Sequence, residues 1–527
     1  MLEDLLRRRT YNAVTDLVDA QVARGLGDKA AFIDPDRSLS YGELQARTCR
    51  FAAALNNLGL RQEERVALLL YDTVDFPVAF WGAVRAGIVV LPLSTLLTAE
   101  QYAYILSDSR VSAIVAAAPL ARMLPPVLDG WPRLRTVVLV GASGGEEAAF
   151  PGRSVHDFSD LIAGGTPDPF AAPTLTDDVA FWLYTSGSTG EPKGVKHVHT
   201  TMMAAAQLMG RYVIGVREDD VVFSAAKLFF SYGLGNAMAF PMSVGATTVL
   251  LPQRATPEAV FDVMRRRRPT IFYGVPTLYA AMLAHHEMAR GAASDRLRLA
   301  ISAGEALPAD LGERWRQQAG VEVLDGIGST EMFQTFLSNR PDDVRYGTTG
   351  KPVPGYELRI VDEHGHRVAD GEIGELIVRG PTAAEGYWNQ RARSRRTFAG
   401  EWTHTGDKFF RDAEGYYHYC GRTDDMFKVS GMWVSPSEVE AALASHEAVL
   451  EAAVIGKEDA DGLIKPKAFI VLRNGYAADD GLVETLRVHV KACAGPWKYP
   501  RWIDFRPDLP RTSTGKIQRF KLRELES

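Results

Sequence analysis

The stretch Tyr184–Val195, YTSGSTGEPKGV, decides how this chain is read. It holds three glycines, two serines, two threonines and one lysine, with little bulk among them. The residues before it, Val179–Leu183 (VAFWL), read as a buried strand, and Thr200–Met209 reads as a helix after it. A strand running into such a loop has the chemistry of a polyphosphate cradle. Glycines admit backbone N–H groups close to phosphate oxygens, hydroxyls add donors, and the lysine adds a point charge. A flexible linker shares the Gly/Ser content, but not the buried lead-in or the embedded lysine. The Walker A loop needs Gly-x-x-x-x-Gly-Lys-Ser/Thr. Here Lys193 follows Pro192 and precedes Gly194, so that spacing fails.

Working outward, residues 40–60 read as a capped helix that ends at Gly59. Strands are expected at Arg65–Leu70, Ile88–Leu91, Ala113–Ala117 and Thr136–Val140, with a helix over Phe76–Ala86. Gly141–Gly145 matches the Gly-x-Ser-x-Gly elbow pattern. No adequate helix follows, so it reads as a loop. Beyond the cradle the alternation resumes with strands at Val221–Ala225, Thr247–Leu251, Pro269–Tyr273, Arg298–Ser302 and Val321–Leu324. The run Arg265–Arg268 reads as a basic helix end rather than a binding patch. Two of these strands end in polar loops, Ser302–Glu305 and Asp325–Glu331. Ligands of open α/β sheets gather beyond the carboxyl ends of strands.

After Gly350 the pattern turns to antiparallel strands, at Tyr356–Val361, Gly374–Val378 and around Gly415. Then follow helices at Ser435–Ser445 and Gly481–Cys493, with strands at Ala452–Ile455 and Lys467–Leu472. The expected fold class is α/β. A large N-terminal domain, 1–423, has parallel sheets covered by helices and a β subdomain at about 350–423. A small mobile α+β domain, 424–527, completes it.

The chain has 527 residues, 46% hydrophobic and 24% charged, which excludes wholesale disorder. A net charge of −6 leaves no basic footprint for nucleic acid. Three scattered cysteines make neither a disulfide frame nor a zinc site, and a reducing, cytoplasmic setting is expected. No run approaches ~18 apolar residues, so no membrane span is expected. The opening MLEDLLRRRTYN does not read as a signal peptide.

Six stretches resemble, in order, the motifs of the adenylate-forming enzymes: acyl- and aryl-CoA ligases, luciferases and peptide-synthetase adenylation domains. They are YTSGSTGEPKGV, SAGEAL (302–307), GSTE (328–331), TGD (405–407), GRTDD (421–425) and PRTSTGK (510–516). Within that family, DGIGSTEMFQTF and the overall length look most like the benzoate–CoA ligases. The resemblance implies a carboxylic acid activated by ATP to an acyl-adenylate with loss of pyrophosphate. Transfer of the acyl group to coenzyme A follows. It implies ATP, Mg²⁺ and CoA, and a small aromatic acid. A homodimer is the expected assembly, and Lys516 is an expected target of a lysine acetyltransferase and deacetylase.

The resemblance also implies roles for individual residues. Thr185, Ser186, Gly187, Ser188, Thr189, Gly190 and Lys193 hold the β- and γ-phosphates. Gly304, Glu305, Ala306, Asp325, Gly326, Ile327, Gly328 and Ser329 frame the nucleotide. Thr330 bonds the α-phosphate, and Glu331 ligates Mg²⁺. Asp407 takes the ribose hydroxyls, with Arg422 nearby. Lys516 bridges carboxylate and α-phosphate in the first step, and Lys428 serves the second. Ser430, Gly431 and Met432 line the pantetheine tunnel, and Asp424 is the hinge. The acid site is walled by Phe229, Tyr232, Ala303, Gly304, Gly326, Ile327 and Phe333, small on one side and aromatic on the other, which suits a flat ring.

Two positions depart from the usual pattern. Many relatives stack an aromatic on adenine where this chain has Ile327, a contact worth about 0.5–1.5 kcal/mol beyond burial. Many carry histidine where this chain has Phe230, which implies a rearranged gate before the acid pocket. Other acid classes, including medium-chain acids, and a non-catalytic nucleotide binder are the competing readings.

Overall fold

The computed structural model describes residues 2–128, 131–165, 170–185, 192–288, 293–429, 432–460, 463–511 and 517–526. By their contacts the residues fall into two compact units. One comprises Met1–Glu357 with Val378–Thr403, the other Leu358–Ile377 with His404–Ser527.

The first unit holds two large sheets. Among the described residues, one has eight strands in the order 386–387, 193–198, 179–185, 89–92, 65–69, 113–117, 136–140 and 154–157. From 179–185 to 154–157 neighbouring strands run parallel. The 193–198 and 386–387 strands close the other edge antiparallel. The second sheet has nine strands, with parallel pairing through 323–328, 299–302, 271–274, 221–224, 247–249 and 30–33.

The local signals explain why these elements form. Ser40 caps the helix Tyr41–Asn57 in a capping box with Glu43, a device worth ~1 kcal/mol. Leu44, Phe51 and Leu55 line its buried face. The strands of the parallel sheets are continuous apolar runs because both faces are covered: Val66, Ala67, Leu68 and Leu69 are all fully buried. Helix Pro257–Arg267 ends in the basic run as the sequence implies. Arg268 closes it in the left-handed conformation and pairs with Asp295.

Two elements differ from the sequence reading. The end of the opening stretch is the first half of a strand, Lys193–Val198, antiparallel to Val179–Thr185. Its pairing is completed from outside by the distant Gly386–Tyr387. Asp325–Gly328, expected as loop, continues the strand Val323–Gly328 and pairs antiparallel with Thr335–Ser338, with a bulge at Ile327/Gly328.

In the second unit a three-stranded sheet, 449–458, 464–472 and 502–505, carries helices Pro436–Ala444 and Asp480–Ala494 on Val439, Leu443, Val454, Ile470, Leu486 and Val490. Strands 358–377 and 404–423, grouped by sequence with the N-terminal domain, cluster here. The reason is packing: helix Pro436–Ala444 lies against strand Tyr417–Arg422. Among the described residues no helix is long and apolar enough to cross a membrane.

Candidate active site

In the first unit the strand ends of the nine-stranded sheet bring several expected residues together. Ala303, Gly304 and Glu305 follow directly on strand Leu299–Ser302, and the turn is taken at Gly304 with φ +94°, a conformation that favours glycine. Asp325 lies beside Ser302 in the next strand. Its side chain is buried, and Oδ1 finds no hydrogen-bond partner among the described residues. Burial pushes its carboxyl well up, against backbone hydrogen bonds from Leu307 and Gly326. Gly326 and Gly328 have no room for a side chain: a Cβ at Gly328 would stand 2.6 Å from the Gln334 carbonyl oxygen.

Of the expected acid-site residues, Tyr232 lies at the same strand ends, while Phe333 packs on strands of the eight-stranded sheet. Tyr232 reaches with its hydroxyl to the Ile301 carbonyl at 3.3 Å and the Gly274 carbonyl at 3.4 Å, both near strand carboxyl ends. Phe229 is buried edge-on against Phe230, ring centroids 4.6 Å apart. Phe333 is fully buried, packed on Phe181 and His197, at φ +62°. Gln334, which sequence reasoning missed, ties these parts together. Its buried amide donates to the Tyr232 carbonyl at 2.9 Å and the Ser231 carbonyl at 3.2 Å.

The most closely bonded group surrounds Glu331. Lys193 Nζ lies 2.8 Å from Glu331 Oε1 and 2.8 Å from the Tyr387 hydroxyl, which donates to the same Oε1 at 2.7 Å. Burial alone would raise the Glu331 carboxyl. The Lys193 charge and the hydrogen bonds from Lys193 and Tyr387 outweigh it and hold the group below the usual carboxylate range. Beside it, His197 is fully buried and neutral, its pKa pushed down to about 4 by burial. Its Nε2 faces the Thr330 carbonyl oxygen at 2.8 Å, so Nε2 carries the proton and donates. Sequence reasoning missed Tyr387 and His197. The dipeptide Tyr387-Trp388 was the available signal, since a buried tyrosine hydroxyl needs a partner, but nothing local names Glu331 as that partner.

Thr185 ends its strand opposite Lys193, while Ser186, Gly187, Ser188, Thr189 and Gly190 lie outside the described residues. So do Ser430, Gly431 and Lys516; Lys428 and Met432 fall in described strands, but their side chains do not belong to the described set.

In the second unit Asp407 and Arg422 face each other across an antiparallel pair of strands. Arg422 Nη1 donates to Asp407 Oδ1 at 3.0 Å and to the Thr405 carbonyl at 3.1 Å. Thr405 Oγ1 accepts from the Asp407 N–H at 3.1 Å and donates to the Leu376 carbonyl at 2.7 Å, which fixes the Thr-Gly-Asp turn. Asp424 is exposed in the turn after Arg422. Its neighbour Asp425 is bound by Arg519 at 3.4 Å and Arg523 at 3.0 Å.

Residues 18–388 match the family described as AMP-binding enzyme, and residues 438–516 the AMP-binding enzyme C-terminal domain. The chain is 55% identical over 522 residues to the 4-hydroxybenzoate–CoA/benzoate–CoA ligase of Rhodopseudomonas palustris, covering 98% of this chain and 94% of that protein. It is 52% identical over 515 residues to the benzoate–CoA ligase of Thauera aromatica, covering 97% and 96%. The solved structure of a benzoate CoA ligase from Burkholderia xenovorans LB400 superposes with a TM-score of 0.88 at 48% identity, covering 97% of this chain and 100% of that one.

Proposed function

The chain belongs to the AMP-binding enzyme family, and from that premise we infer that it is an AMP-forming benzoate–CoA ligase. A carboxylate oxygen of the acid attacks the α-phosphorus of ATP, and the bond to the bridging oxygen breaks to release pyrophosphate. The sulfur of CoA then attacks the acyl carbon, and AMP leaves. The observation that carries this reading is identity of 52–55% across nearly the whole chain with two ligases named for benzoate.

The residues present suit these two steps. The first step accumulates negative charge at phosphorus and needs cations and N–H donors. Lys193 supplies a cation beside the cradle, and Thr330 a hydroxyl for the α-phosphate. Glu331 fits Mg²⁺, a hard ion usually held by one or two carboxylates together with substrate phosphates; bound there, it neutralises polyphosphate charge. The orphan Oδ1 of Asp325 offers a hydrogen-bonding group to the nucleotide. Asp407, oriented by Arg422 and the Thr405 turn, takes the ribose hydroxyls. Lys516 serves adenylation and Lys428 thioester formation, with Asp424 as the hinge between them and Ser430, Gly431 and Met432 along the pantetheine path. Acetylation of Lys516 would remove its charge and stop the first step. Phe229, Tyr232, Ile327 and Phe333 supply aromatic and aliphatic walls, with Ala303, Gly304 and Gly326 leaving width for a ring.

The test is steady-state kinetics over a panel of acids: benzoate, 4-hydroxybenzoate, cyclohexanecarboxylate and hexanoate, with pyrophosphate and thioester both measured. Benzoate and its hydroxylated analogue are expected to give the highest kcat/KM. Apolar pockets separate neighbours by only about 1–3 kcal/mol per methylene, so close analogues compete. Hexanoate outrunning benzoate would overturn the aryl assignment. Absence of pyrophosphate release with every acid would overturn the ligase assignment.

A further inference from the structure

We propose that Tyr387 is a positioning residue that holds the Glu331 carboxylate in place while it exchanges Lys193 for Mg²⁺. The proposal rests on the reading above, in which Glu331 serves the metal and Lys193 the polyphosphate. In the structure these two opposite charges neutralise each other at 2.8 Å, with side chains only 15–16% exposed. A lysine held there cannot also reach phosphate, and a carboxylate committed to it is not offered whole to a metal. Binding of nucleotide with its metal therefore has to part the pair. A buried carboxylate that loses its cation is costly unless other bonds hold it.

Tyr387 is built to supply such a bond. Its hydroxyl accepts from Lys193 and donates to Glu331 Oε1, so the second bond survives the departure of the lysine. Lys193 and Tyr387 both bond Oε1, so pinning Oε1 leaves Oε2 as the oxygen presented to the metal. The mount is rigid for a reason visible in the backbone. The Ala384 N–H donates to the Glu331 carbonyl at 2.9 Å, and Thr382 Oγ1 to the Met332 carbonyl at 2.8 Å. Two residues on, Gly386–Tyr387 pairs with the strand that carries Lys193, Tyr387 opposite Val195. One short segment thus fixes the backbone on both sides of the exchange and places the hydroxyl between them.

The test is Tyr387→Phe, which keeps the ring and its packing on Phe398, with calorimetric binding of ATP plus Mg²⁺, ATP with chelator, and AMP. Outer-shell partners of a metal ligand typically alter affinity by about 10–100-fold. Y387F is expected to weaken binding of ATP with Mg²⁺ roughly tenfold, at the low end of that range, and to leave metal-free ATP and AMP within about twofold. Equal weakening of all three, which a merely structural role would produce, overturns the proposal, as does no change at all. Glu331→Gln separates the two levels of the argument. If E331Q leaves the Mg²⁺ dependence of ATP binding intact, the assignment of Glu331 to the metal fails. If E331Q abolishes that dependence and Y387F does not alter it, only the role of Tyr387 fails.

Discussion

His199 is buried, and its Nδ1 accepts from the Ala13 N–H at 3.3 Å; burial lowers its pKa to about 4. The unfolded chain titrates the same imidazole near 6.5, so between about 6.5 and 4 the unfolded state binds more protons. Stability contributed by the neutral ring is complete above that window and is lost as pH falls through it, by about 3 kcal/mol in all. His199→Asn, whose amide oxygen can replace Nδ1 as acceptor, is expected to lose about 2–3 kcal/mol less than the parent between pH 7.5 and 4.5. Urea unfolding midpoints at the two pH values measure this, and parallel losses would refute the assignment. At this scale a residue could be singled out where it stood inside a motif, as Glu331 did. Tyr387, His197 and Gln334 were not legible, because each acts through a contact with a residue far away in sequence. Tyr387 and Glu331 lie 56 positions apart.

At the scale of elements, the ends of the opening stretch lie in two antiparallel strands, Val179–Thr185 and Lys193–Val198. Thr185 and Lys193 are therefore paired in register, and the lysine is anchored by a strand. The KGVKHV strand escaped the sequence reading because its lysines obscure the apolar alternation and one of its partners lies nearly two hundred residues on. The helix at Tyr41–Asn57 was legible because its cap is local, Ser40 bonding Glu43 three residues later. The segment that carries Phe229 and Tyr232 depends on a glycine in the same local way. A Cβ at Gly233 would stand 2.1 Å from the Lys227 carbonyl oxygen and 2.6 Å from that of Ala226. Backbone cannot yield as a side-chain tip does, and overpacking typically costs about 1–3 kcal/mol. Gly233→Ala is expected to lower the melting temperature and to raise KM for the acid more than KM for ATP. Unchanged values of both would show that this segment does not shape the acid site.

For the whole molecule, the expected residues divide between the two units. Lys193, Thr330 and Glu331 belong to one; Asp407, Arg422 and Asp424 belong to the other. The two chemical steps proposed above are separable by experiment. Lys516→Ala is expected to slow acyl-adenylate formation by roughly two to three orders of magnitude, as loss of a charge-stabilising donor does. Thioester formation from preformed acyl-adenylate should survive. Single-turnover measurement of each half-reaction decides it, and equal slowing of both would remove Lys516 from its assigned step. By itself the sequence determined the succession of strands and helices, because these depend on bonds and periodicities within a few residues, while the class of reaction came from the resemblance its six ordered motifs carry to a known family. Only the tertiary structure decided that Gly386–Tyr387 closes the edge beside Lys193, that Glu331 is held between a lysine and a tyrosine hydroxyl, and that strands 404–423 cluster with the C-terminal helices. Those facts depend on which distant segments the sheet topology makes neighbours, and a burial or hydrogen bond across that distance leaves no periodic trace in the chain.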